Sequence, residues 1–238
     1  MKLQTIFDQL VHGELAHLFI GGSETDNIII PENYPKVVTY INMALLELYK
    51  RFPIHVAQVD VQQYESIGTY VMAYDYAISN ATSTQPTKYI QDSLTNPFKD
   101  SAFLKIENIF DENGCELILN NSVEAKSYFT PHYNQIQVPN PSDDVMFSVM
   151  YRASHASLAA SSDIDPEVVE VSLPFSLLLP LCSFVGARAF AGTSTLNGVD
   201  DSQRMMQQYE LACARITEYD LLNYDITPNY KAVNNGWA

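Results

Sequence analysis

A chain of 238 residues, 47% of them hydrophobic, can bury one large core or two small ones. Acids outnumber bases 28 to 13, and the formal charge of −15 argues against a protein that grips nucleic acid, because neutralising phosphates requires clustered Lys and Arg. The same charge is compatible with a wall past which DNA slides without sticking.

The first residues, MKLQTIFDQLVHGELAH, place Asp8, His12 and Glu14 where a signal peptide would need an unbroken apolar core. Leu3, Ile6, Phe7, Leu10, Val11 and Leu18 fall on a helical stripe that Gly21-Gly22 should end, and residues 23–27 read as a polar loop. A second helix is expected from Pro35 to Arg51, with proline in its first turn and Val37, Val38, Ile41, Ala44, Leu45 and Leu48 as its apolar face.

The period then changes. Residues 54–61 and 69–74 are rich in strand formers, and the clearest hairpin runs from Phe103 to Phe110, turns at Asn113-Gly114, and returns over Cys115 to Leu119. Further strands are expected at Tyr133–Val138 and Met146–Ala153, bounded by prolines at 131, 139 and 141.

After Asp163 the helical period returns. Pro174 should open the next helix, and Pro180 should kink or restart it at a cost of about 3 kcal/mol against a straight helix. The run to Ala191 also holds Arg188, so it is too broken for a membrane span of about 20 residues, and the chain reads as soluble. Residues 192–199 are expected to turn, with Asp200, Asp201 or Ser202 capping a last helix whose spaced residues are Met205, Gln208, Tyr209, Ala212, Ile216 and Tyr219. The ending, Asp225 to Ala238, carries Pro228 and Trp237 and reads as an extended arm.

The fold class is therefore α+β: a helical bundle drawn from N- and C-terminal helix pairs, a central antiparallel β-rich insert, and an extended C-terminal arm. The expected divisions are 1–53, 54–165, 166–224 and 225–238.

Motifs for chemistry are weak. His12, Glu14 and His17 form HxExxH, whose histidines are five apart, whereas zincins need four to share one helix face. Ser154 and His155, with Asp163 and Asp165 downstream, supply the residue types of a hydrolase, but no GxSxG elbow occurs. The simpler reading is a strand end at which Arg152 and His155 pair with acids or meet a neighbouring subunit. Asp163–Glu167 and Asp111–Gly114 lack the spacing of a calcium loop and suit caps and turns. Neither a P-loop nor GxGxxG is present, and no cofactor is implied. Cys115, Cys182 and Cys213 form no CxxC pair and read as reduced packing residues, consistent with assembly in a reducing cytoplasm. The 15 tyrosines suit either a core or interfaces.

The helix pair Leu3–Arg51, the central sheet, the closing pair that begins near Val171-Ser172-Leu173-Pro174, and the piece Ala187-Arg188-Ala189-Phe190 before Gly192 together resemble the head-to-tail adaptor family of short-tailed bacteriophages, also called tail tubular protein A. Residues 64–91 and the terminal arm have no counterpart in that pattern. The resemblance implies a structural virion protein without turnover: a ring of about twelve copies between the portal protein and the tail nozzle protein, continuing the channel through which double-stranded DNA passes, with no membrane partner. It implies portal docking by the C-terminal arm, with Tyr230, Val233 and Trp237 as candidates, and a bore lined partly by acids, with Asp200 and Asp201 as candidates. The alternatives are a small virion-associated or cellular hydrolase using Ser154 and His155, and a stopper that closes the channel.

Overall fold

A computed structural model describes residues 1–16, 28–124, 126–143, 145–192 and 196–222. Its contacts divide the chain into two units, 1–33 with 165–238 and 34–164. The expected α+β class holds: helices from both ends of the chain pack together, and the middle forms an antiparallel four-stranded sheet.

In the first unit, α1 (Leu3–His12) buries Leu3, Ile6, Phe7 and Leu10, the residues that recur on one helical face. Its free N-terminal amides are met by backbone: Leu3 N–H donates to the Val169 carbonyl and Gln4 N–H to that of Pro166, each at 2.9 Å. Met1 and Val171 exchange two further bonds at 2.7 Å, so the chain start is stitched to the segment preceding the closing helices. The helix stops at Gly13, earlier than the Gly21-Gly22 expected; a side chain at Gly13 would stand 2.8 Å from the Gln9 carbonyl. Leu18, Phe19, Gly21 and Gly22 lie outside the described residues.

The closing pair is α3 (Leu178–Ala191) and α4 (Leu196–Glu218). A short 3₁₀ turn, Phe175–Leu177, follows Pro174, and α3 then starts at Leu178 with Pro180 in its first turn. Of the two expected consequences of Pro180, restart is the one found, because a first-turn residue has no intrahelical bond for proline to remove. Buried nearly all round, α3 packs against both α1 and α4. Phe184 meets Tyr209 edge-on at 5.4 Å, and the Ser202 hydroxyl donates to the Ala187 carbonyl at 2.9 Å. The expected cap at 200–202 is corrected: α4 begins at Leu196, so Asp200, Asp201 and Ser202 lie within it. Met205, Tyr209, Ala212 and Ile216 are buried as their spacing required, whereas Gln208 and Tyr219 are exposed.

The second unit contains α2 (Tyr34–Arg51) and six strands, so the division assigns this helix to the sheet, where the expected boundary lay at 53/54. The strands are β1 (Val56–Gln62), β2 (Thr69–Val71), β3 (Ile90–Gln91), β4 (Phe103–Asp111), β5 (Gln135–Gln137) and β6 (Met146–Ala153). The main sheet runs β3-β1-β6-β4, antiparallel throughout, and β2 pairs with β5. β1 and β6 are in register from Val56 opposite Arg152 to Gln62 opposite Met146, so Val59, Val61, Phe147 and Val149 all enter one face. Residues 115–119 do not form the expected second hairpin strand. They return beside β4 through a single bridge and irregular bonds, after a turn in which Gly114 takes φ +76°.

The core of this unit is aromatic. Tyr70 meets Tyr89 and Phe147 edge-on, and Tyr76 stacks on Tyr89 at 4.7 Å. The Tyr70 and Tyr89 phenols have backbone partners: the Tyr70 hydroxyl accepts the Tyr64 N–H at 2.9 Å, and the Tyr89 hydroxyl donates to the Val71 carbonyl at 3.0 Å and accepts the Val71 N–H at 2.8 Å. The segment 64–91 thus feeds the core through Tyr70, Met72, Ala77, Tyr89 and Ile90.

Candidate functional site

Ser154 and His155 follow the last residue of β6, and both line an open cleft of about 480 Å³ with Thr39, Asn42 and Leu46 of α2. The Asn42 amide pins the loop to the helix from both ends, donating to the Leu158 carbonyl and accepting the Leu158 N–H, each at 2.9 Å. Ser154 N–H donates to the Ala102 carbonyl at 2.6 Å. The His155 ring meets Tyr49 edge-on at 5.7 Å, and its Nδ1–H donates to the carbonyl of Ala156. Burial pushes the imidazole below its ordinary pKa; the Ala156 bond opposes this, and the neighbouring His55 adds to the depression. The ring is therefore neutral at pH 7.

The group orienting this imidazole is a neutral carbonyl, where a hydrolytic triad uses a carboxylate to stabilise the developing imidazolium. The downstream acids lie in local turn contacts. Asp163 N–H donates to the Ser161 hydroxyl at 3.2 Å, and Asp165 Oδ1 accepts the Glu167 N–H at 3.0 Å.

Arg152 pairs with an acid, as the simpler reading expected. Its guanidinium lies 2.5 Å from Glu107 of β4 and donates to the Lys50 carbonyl in the last turn of α2 at 2.6 Å. Glu107 Oε1 and Arg152 Nε have no well-aligned hydrogen-bond partner, so the Arg152–Glu107 contact acts as a charge pair. A cation at a helix C-terminus also offsets the macrodipole.

Of the HxExxH residues, His12 faces the Asp8 carbonyl at 2.8 Å and His17 lies outside the described residues. Glu14 packs its stem over Gly186 of α3, where an added Cβ would meet the Glu14 Cβ at 3.0 Å. Glu14 Oε2 is buried without a hydrogen-bond partner, and burial raises the carboxyl above the ordinary carboxylate range. Among the described residues no group of three or more His, Cys, Asp or Glu is placed to hold a metal ion. Asp111 takes the turn role expected of it, its Oδ1 accepting the N–H groups of Asn113 and Cys115 at 2.9 and 2.8 Å.

All three cysteines are free. Cys182 and Cys213 are buried packing residues, but Cys115 is exposed, which corrects its expected packing role. Asp200 is exposed on α4, and Asp201 pairs with Arg204 at 2.9 Å. Tyr230, Val233 and Trp237, with the whole 225–238 arm, lie outside the described residues. Among the described residues, no helix is long and apolar enough to cross a membrane.

The sequence reading missed a shallow concavity of about 440 Å³ on the outer face of the main sheet, lined by Phe110, Met146 and Met150 together with Asp60, Asp111 and Glu112. Its signal is the alternation within β1 and β6, which puts Asp60 opposite Ser148 and Gln58 opposite Met150 on the face away from the core. No protein-family model matches the chain, and no curated protein matches it.

Proposed function

We propose that this chain is a structural virion protein, a ring-forming head-to-tail adaptor that joins a portal to a tail nozzle and continues the DNA channel. The observation that carries the reading is the surface of α4. One face is buried, while another presents Val199, Gln203, Gln207, Leu211 and Ala214 at intervals of three or four residues, exposed and uncharged. Val199 and Leu211 are 57% and 60% exposed, which suits helix packing between copies better than contact with water. The adjoining acids, Asp200 among them, would face passing DNA and keep it from adhering. Residues 225–238, with Tyr230, Val233 and Trp237, would reach the portal.

Negative-stain microscopy of the purified chain with isolated portal rings tests this. Closed rings seated on the portal are expected, and a chain truncated after Asn223 should fail to seat. A monomer that ignores portal rings and hydrolyses esters, with turnover lost in Ser154→Ala, would overturn the proposal in favour of a hydrolase.

A further inference from the structure

We propose that the outer face of the main sheet is a docking surface for a polypeptide segment of a partner protein that carries Lys or Arg beside apolar residues. Its inner face, with Val59, Val61, Phe147 and Val149, is buried in the core, and its outer face is left open, with Gln58 and Met146 exposed. The concavity there has three acids and no base in its lining, so its charge complement is a cation. Its apolar lining is Phe110 with two methionines, whose flexible side chains adapt to varied apolar shapes. A lysine or arginine matches both features at once: its aliphatic stem packs on the apolar lining and its head meets a carboxylate.

Two of the three carboxylates are held before any partner arrives. Asp60 accepts the Ser148 hydroxyl at 2.5 Å, and Asp111 is fixed by the two turn amides described above. Such preorganisation lowers the ordering cost of binding. Duplex DNA shares the sign of these carboxylates and is repelled. A second copy of this chain brings few cations, with 13 bases among 238 residues. The inference does not depend on the adaptor reading, since it rests on the sheet face alone.

The test uses the full chain, labelled at the methionine methyls, and two short synthetic peptides, one alternating Lys with Leu and one alternating Lys with Ser. Titration with the Lys–Leu peptide should shift the Met146 and Met150 methyl resonances. Glu112→Lys should weaken binding by about tenfold, a size typical of reversing one interfacial charge. Glu124→Lys, with the same change in net charge on another loop, should leave binding within about twofold. Far-ultraviolet circular dichroism checks that both variants retain the fold. Four results would overturn the proposal: equal binding of the Lys–Ser peptide, equal weakening by Glu124→Lys, unmoved methyls, or methyl shifts that follow protein concentration without peptide and so report self-association.

Discussion

Arg152 offers the sharpest test of how the sheet unit is held together. Replacing it with methionine keeps the stem and removes the guanidinium. That deletes the 2.6 Å bond to the Lys50 carbonyl and the 2.5 Å charge contact with Glu107. Hydrogen bonds involving a charged group contribute about 1.5–3 kcal/mol. Stranding a buried charge costs about 3–5 kcal/mol. Here the side chains are 15% and 20% exposed and Lys105 remains 3.3 Å from Glu107, so the second figure shrinks. The expected loss is about 2–3 kcal/mol. Urea unfolding followed by circular dichroism measures it, and hydrogen exchange should quicken at the C-terminal turn of α2. The double variant with Glu107→Gln should recover about 1 kcal/mol or more relative to the sum of the singles. A loss below about 0.5 kcal/mol for Arg152→Met, or strict additivity with Glu107→Gln, would refute the assignment of this pair as the tie between α2, β4 and β6.

Tyr89→Phe should cost about 1–2 kcal/mol by urea titration, because it removes both bonds to Val71 from a residue that is 2% exposed. Pro180→Ala should change stability by less than about 1 kcal/mol, whereas Val185→Pro in the middle of α3 should cost about 3 kcal/mol or more by the same measurement. For Glu14 the folded carboxyl sits above its ordinary value of 4.5, so the folded state favours the protonated form. Stability is full below the ordinary value and is lost as pH rises through the raised one. Glu14→Gln should therefore raise the melting temperature at pH 7 and leave it unchanged at pH 4; an equal shift at both would contradict the desolvation argument.

The parts of the fold that could be read from the chain are those dictated by periodicity. Ile41, Leu45 and Leu48 share a helical face whichever partner they meet, and β1 and β6 bury alternate residues because pleating requires it. Boundaries were less legible, since α1 ends where the Gly13 backbone leaves the helical region, at φ −113° and ψ −107°, before its apolar stripe runs out. The return beside β4 resembles a strand in composition, yet among the described residues it makes only isolated bridges, Glu116 with Phe110 of β4 and Leu119 with Tyr128. Ser154 and His155 look like chemistry in one dimension. Their geometry assigns the imidazole a carbonyl and a tyrosine edge as neighbours, which no spacing rule conveys.

The sequence by itself determined the α+β class, the helices at both ends around a β-rich middle, and the acidic character, because each follows from local period or from charge carried wherever the chain goes. Only the tertiary structure decided that Arg152 closes the end of α2, that Glu14 packs over a glycine, and that three acids gather with apolar side chains on the outer sheet face. Those are meetings between residues far apart in the chain, set by strand register and helix packing, and single-sequence patterns carry no term for them.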